Sequence, residues 1–204
     1  MSFNRSFFIV SALCAAAVSH ATEAFSSFGT GNSFDQNNGY NVASSISGLS
    51  QQSVAFQFTS LVSGNLSSIE FAALYGSGSG VVRVGLYEDN GDSVGNLMVV
   101  DSPTVQLGQK LYQINIPSFV QVPLTANTKY WIGLQAQDDT FLAWNFSDPT
   151  ITGVGSFNFD TGTPSTGTAD LSAFRVTTQA VPEPASMAAL ALGAGFLLRR
   201  RKRA

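Results

Sequence analysis

From Ser53 to Thr177 the chain runs in short stretches of alternating apolar and polar positions, each bounded by turn-forming residues at spacings near ten residues. Val54, Phe56 and Phe58 alternate with Ala55, Gln57 and Thr59, and Ile69, Phe71 and Ala73 alternate with Glu70, Ala72 and Leu74. Val82, Val84 and Leu86 stand opposite Arg83; Tyr112, Ile114 and Ile116 stand opposite Gln113 and Asn115 until Pro117 breaks the run. A period of two marks a half-buried β-strand. The same reasoning expects strands at 40–46, 96–101, 119–124, 130–136, 141–146, 156–160 and 171–177. It reads Gly76 to Gly80 as a flexible turn, Thr161 to Thr168 as a loop, and most of 25–52 as irregular.

Nine or ten short strands with no helical period between them predict an all-β fold, an antiparallel β-sandwich or jelly roll, with a barrel as the alternative. No internal repeat of about 20 to 50 residues is evident, which argues against a propeller or solenoid.

Two apolar stretches lie outside this pattern. Arg5 precedes the run Phe7 to Val18, and Ser19-His20-Ala21 then places small residues at the two positions a signal peptidase reads. Residues 1–21 are therefore expected to be a secretory signal peptide, or 1–24 if the cut follows Thr22-Glu23-Ala24. The second stretch, Ala185 to Leu198, includes Leu190, Leu192 and Phe196 and has no charged residue. Arg199, Arg200, Arg201, Lys202 and Arg203 follow at once. At about 1.5 Å per residue it makes roughly 21 Å of helix, short of a hydrocarbon core of about 30 Å, but it spans if the arginines snorkel. A basic cluster beside a hydrophobic segment stays cytoplasmic, which puts the preceding chain outside the inner membrane. The expected division is 1–21 signal peptide, 22–180 extracellular β-sandwich domain and 181–204 sorting and anchor signal.

Composition narrows the chemistry. Cys14 and His20 are the only cysteine and histidine, and both lie in the segment expected to be removed. The remainder can build no cysteine or Ser-His-Asp nucleophile, no histidine zinc site and no disulfide. Within residues 25–180, four basic residues oppose eleven acidic ones, a net −7. Such a surface repels nucleic acid and anionic lipid. The basic residues that remain, Arg199 to Arg203, are expected to orient the membrane segment rather than to bind nucleic acid.

Three groups are candidates for a site. Glu88-Asp89-Asn90-Gly91-Asp92 is the densest set of oxygen ligands, and Asp89, Asn90 and Asp92 could help hold calcium, which wants six to eight oxygens. It lacks EF-hand spacing, and these residue types equally make a hairpin turn; Asp138-Asp139-Thr140 reads the same way. Trp131 shares the parity of Gly133 and Gln135, away from Ile132 and Leu134, and is either a platform for stacking a sugar ring or is covered by a loop or the second sheet. Trp144 shares the parity of Leu142 and Phe146 and is expected in the core. Glu70 lies opposite an apolar face, but a glycosidase needs a second carboxylate about 5 to 10 Å away and none can be named from sequence. No nucleophile-base motif is present, so no enzyme activity is expected.

Pro182-Glu183-Pro184, the Ala/Leu/Gly-rich stretch and the arginine cluster, in that order, closely resemble the PEP-CTERM sorting signal of Gram-negative bacteria, also labelled an ice-binding-protein C-terminal domain. The resemblance implies recognition of Pro182-Glu183-Pro184 by a membrane-embedded cysteine protease, an exosortase, which cuts the tail and sends the body to the envelope or matrix. The body, over residues 40 to 178, resembles the choice-of-anchor type-R domains of bacterial surface proteins. The matching stretches are Val54 to Thr59, Val84 to Gly91 and Leu124 to Ile132. That resemblance implies an all-β extracellular module with no catalytic residues. The expectation is an exported, non-enzymatic protein, structural or adhesive in exopolysaccharide or biofilm, processed by signal peptidase and exosortase and needing no cofactor. The alternative is a carbohydrate- or ice-binding module assisted by calcium.

Overall fold

The alternating stretches do form strands, thirteen of them among residues 21–179, which are the residues described in this computed structural model. All pair antiparallel, and no helix occurs among the described residues. The fold is all-β. One sheet runs in the order β1 (Ala21–Ser26), β13 (Phe174–Gln179), β4 (Gly64–Ser77), β10 (Phe141–Ser147) and β2 (Phe34–Ala43), with β7 (Leu111–Asn115) and β8 (Pro123–Leu124) also pairing along β4. The other runs β12 (Ser165–Asp170), β11 (Thr152–Phe157), β3 (Val54–Thr59), β9 (Lys129–Ala136), β5 (Val82–Asp89) and β6 (Val94–Asp101).

The inward positions of both sheets meet in one core. Ile69, Phe71, Trp144, Phe174 and Val176 come from the first sheet and Val54, Phe56, Leu86, Ile132 and Leu134 from the second, all of them buried. Trp144 is wholly buried, as its parity requires. Aromatic rings bridge the layers: Phe56 lies edge-on to Trp144 at 5.1 Å, and Phe25 contacts both Phe58 and Phe174 at 5.4 and 5.1 Å. Each such side chain contributes about 1.5 to 3 kcal/mol through burial alone.

Several boundaries differ from the alternation pattern. The strand expected at 40–46 is β2, which begins at Phe34 because Tyr40 to Ala43 pair with 141–144 and the ladder continues back through Gly39. The strand expected at 156–160 is β11, which ends at Phe157 where Asn158 takes a positive φ. Of 119–124 only Pro123 and Leu124 pair, and Phe119 is exposed. Gly76 and Ser77, read as turn, extend β4 to pair with Phe141, and the turn falls on Gly78 and Gly80. Two strands had no apolar alternation to announce them. β12 is almost wholly exposed and is held by its ladder to β11, and β1 falls across the expected signal-peptide junction.

The described residues fall in one compact unit. Residues 1–20 of the expected signal peptide, the Pro182-Glu183-Pro184 motif, the hydrophobic stretch from Ala185 to Leu198 and the basic cluster Arg199 to Arg203 lie outside them.

Candidate functional site

Trp131 stands on β9 with its side chain on the outer face of the six-stranded sheet, since its neighbours Tyr130 and Ile132 belong to the inner core. Period two therefore places it correctly, but it is wholly buried there. It packs with Ala55 and Tyr87 in a second apolar cluster, bordered by Val94, Val154 and Phe159. Its indole Nε1 donates to Asp89 Oδ1 at 2.8 Å. Of the two readings of its parity, cover and an open sugar platform, the structure shows cover: a stacking site needs a free ring face, and this ring is enclosed.

The cover is made possible by small residues. Ala55, Gly133 and Gly85 are cross-strand neighbours in one row over β3, β9 and β5. A Cβ added at Gly133 would lie 2.6 Å from Phe159 Cζ and 3.1 Å from Tyr87 Cε2. The bare backbone leaves the space that these two rings fill, and they meet edge-on at 5.4 Å. Burial pushes the Tyr87 hydroxyl pKa up. The next loop residue, Asp160, accepts a hydrogen bond from Ser53 Oγ and pins the cover at the sheet.

The acidic loop forms the edge of the same cluster. Asn90 N–H donates to Ser93 O at 2.9 Å, and the two residues between them, Gly91 and Asp92, both have φ of 62°. Consecutive positive φ values are what a tight type I′ hairpin turn requires. The carboxylates serve that turn and its neighbours. Asp89 Oδ1 accepts from Gln57 Nε2 at 2.7 Å as well as from Trp131, and Asp92 Oδ1 accepts from Gln57 Nε2 and from Lys129 Nζ. The Lys129 hydrogen bond, and then that of Gln57, hold the Asp92 carboxyl below its ordinary pKa. The same bond raises Lys129. The two shifts agree in direction, but the pair is open to water, where ion pairs are screened. Of the two readings of this loop, the structure shows the hairpin turn, with the Asp89 and Asp92 oxygens facing amide, indole and ammonium donors. Among the described residues no group of three or more acidic, histidine or cysteine side chains could hold a metal. Asp138 and Asp139 likewise build a turn, with Asp138 at φ 51° and Asp139 Oδ1 accepting from Ser79 N–H at 2.7 Å.

Glu70 faces outward on the first sheet directly across the ladder from Arg175. Arg175 Nη1 donates to Glu70 Oε2 at 2.9 Å, and its Nη2 donates to Asn32 Oδ1. Its Nε lies 3.0 Å from Glu23 Oε2, within ion-pair reach although not aligned as a hydrogen bond. The guanidinium also sits 5.4 Å from the centre of the Phe28 ring. Glu70 is thus one member of a latch, with Glu23 and Arg175, that joins β1, β4 and β13. Sequence reading missed Arg175. Its signal was register: it is the body's one cation on the last strand, and only pairing that strand with β4 puts it opposite Glu70.

A shallow polar crevice lies between Phe34 to Asn37 and Ser147 to Thr150. Asp35 within it accepts from the N–H groups of Asn37 and Asn38 and from Asn38 Nδ2, and the Asn38 side chain leads in holding its pKa down. Its carboxylate is a turn cap.

The candidate side chains Trp131, Asp89, Asp92 and Glu70 are thus engaged with neighbouring groups of the described body. Residues 180–202 match the PEP-CTERM protein-sorting motif. This span takes in Pro182-Glu183-Pro184, the stretch from Ala185 to Leu198 and all but the last of the basic residues. No curated protein matches the chain. The PEP-CTERM motif marks an exported protein that is sorted by exosortase and whose precursor is anchored in the membrane before processing.

Proposed function

We propose that the body is a non-enzymatic structural or adhesive component of the exopolysaccharide or biofilm matrix, delivered by its PEP-CTERM tail after signal peptidase and exosortase have cut the precursor. The observation that carries this reading is the use made of its chemically versatile side chains. Trp131, Asp89 and Asp92 tie the hairpin to the outer cluster, and Glu70 and Arg175 tie three strands together. Each is engaged in holding the sandwich. What remains outside is a net acidic surface rich in Ser, Thr, Asn and Gly, of which β12, Ser165-Thr166-Gly167-Thr168-Ala169-Asp170, is the most exposed strand. Neutral hydroxyl and amide groups of this kind hydrogen-bond hydrated glycans without needing a deep pocket.

The test is fractionation of the host's extracellular matrix from wild-type and deletion strains. The mature protein is expected in the polysaccharide fraction, and the deletion is expected to loosen that fraction with no change in glycan chain length. Glycan cleavage by the purified mature protein, abolished by Glu70→Gln, would overturn the non-enzymatic reading.

A further inference from the structure

We infer that the mature chain begins at Thr22, signal peptidase having cut the Ala21–Thr22 bond and not the Ala24–Phe25 bond. The inference rests on the reading of the chain as exported and goes beyond it by assigning the processing site. Local sequence puts the cut after Ala21 first but admits both, because Ser19-His20-Ala21 and Thr22-Glu23-Ala24 both put small residues at the positions the protease reads. The fold separates them by what each product would leave behind.

Cutting after Ala21 removes a single exposed ladder position, the one opposite Gln179, and leaves the remainder of β1 whole. Thr22 then stays opposite Thr178 and Glu23 opposite Thr177. Glu23 keeps its place 3.0 Å from Arg175, and Ala24 remains fully buried with its carbonyl accepting from Leu61 N–H at 2.8 Å. Cutting after Ala24 deletes all of these contacts. It also places a new ammonium on Phe25, whose ring is stacked on Phe174 at 5.1 Å, next to a core with no carboxylate to receive it. In either case one water is consumed: its oxygen joins the alanine carbonyl carbon to give a carboxylate, and the released nitrogen takes up both of its protons to become an α-ammonium. Only at Thr22 does that ammonium form at an exposed position. Because β1 is the edge strand of its sheet and pairs with β13, the damage would fall on the ladder that joins the first and last strands of the described residues.

N-terminal sequencing of the protein recovered outside the cytoplasm tests this directly. The expected reading is Thr-Glu-Ala-Phe. A reading of Phe-Ser-Ser-Phe on exported protein would overturn the assignment while leaving the export reading intact, whereas an uncut chain confined to the cytoplasm would sink both. Ala21→Arg, at an exposed position that the body's core does not use, is expected to leave uncut precursor on the membrane. Continued processing at Ala24 at the wild-type rate would contradict the inference. As a measurement independent of processing, mature protein starting at Thr22 should melt at a higher temperature than the same chain starting at Phe25, and equal melting temperatures would remove the structural argument.

Discussion

The two faces of the six-stranded sheet are both apolar, yet they are built by different means. The inner face carries Val54, Phe56, Val84, Leu86, Ile132 and Leu134, and its partners come from the opposite sheet. The outer face carries Ala55, Gly85, Tyr87, Trp131 and Gly133, and its cover comes from Phe159 on a loop and from Val94 on β6 and Val154 on β11 of the same sheet. The inner face is carried mainly by aliphatic and phenylalanine side chains, with the Tyr130 hydroxyl at its end accepting from Thr125 N–H. On the outer face a tryptophan is buried with its N–H satisfied by Asp89, because an indole N–H out of water needs a partner. The comparison teaches that strand parity assigns a face, while exposure depends on what the rest of the chain lays over it.

Truncation on the inner face should have the largest effect. Trp144→Ala removes a wholly buried ring in contact with Phe56 and Phe174 and is expected to cost about 3 to 5 kcal/mol, read by chemical denaturation. A loss under about 1 kcal/mol would mean that the two sheets do not share that core. On the outer face, Trp131→Phe keeps most of the apolar volume and removes the donor to Asp89. It is expected to cost about 1 to 3 kcal/mol, and an unchanged stability would show that the indole is not held as described.

Gly133→Ala sharpens the contrast further. The added methyl meets the end of the Phe159 ring, a side chain on a loop, so the strain should be partly relieved by loop displacement. A cost of about 1 to 2 kcal/mol is expected, accompanied by faster proteolysis between Asn158 and Pro164. The double variant Gly133→Ala with Phe159→Ala should recover part of the loss, and additive losses would place Phe159 elsewhere.

Titration gives a smaller effect. Burial raises the tyrosine pKa of Tyr87, Tyr40 and Tyr112, with the Asp170 charge adding to the rise at Tyr40. A raised folded-state pKa means that the folded protein holds its proton more tightly than the unfolded chain. The associated stability is therefore complete below the ordinary tyrosine value of about 10 and is lost as pH rises through the folded values. Denaturation midpoints should fall above about pH 10, and less so for Tyr87→Phe. Lys129→Met, which breaks an exposed pair with Asp92, is expected to leave the melting temperature unchanged at moderate salt.

These contrasts also mark how far the sequence could be read. Alternation located β3, β5, β7, β9 and β10 and their inner faces, because period two is the direct imprint of the shared core on a strand. It missed β12, whose Ser, Thr and Gly positions carry no apolar signal and whose place is set by pairing with β11. It also missed β1, because residues 21–26 follow directly on a signal-peptide pattern. For the candidate site, the turn at Asn90 to Ser93 was legible in its Asn-Gly-Asp composition. Cover over Trp131 was one of two readings of its parity, but the residues that enclose it were not legible, since Tyr87, Val154 and Phe159 are distant in sequence, and neither was the Glu70 to Arg175 pair, which exists only through register. The sorting tail was legible because its order of motif, apolar stretch and basic cluster is itself linear.

The central claim is that this scaffold is addressed by its tail and carries its role outside the inner membrane. The most direct test is the intact mass and location of the protein in its host, comparing wild type with Pro182, Glu183 and Pro184 all replaced by alanine. The account predicts that wild type is recovered beyond the inner membrane without Arg199 to Arg203, while the variant remains in the membrane with its tail uncut. Recovery of both in the membrane with the basic cluster intact would contradict it.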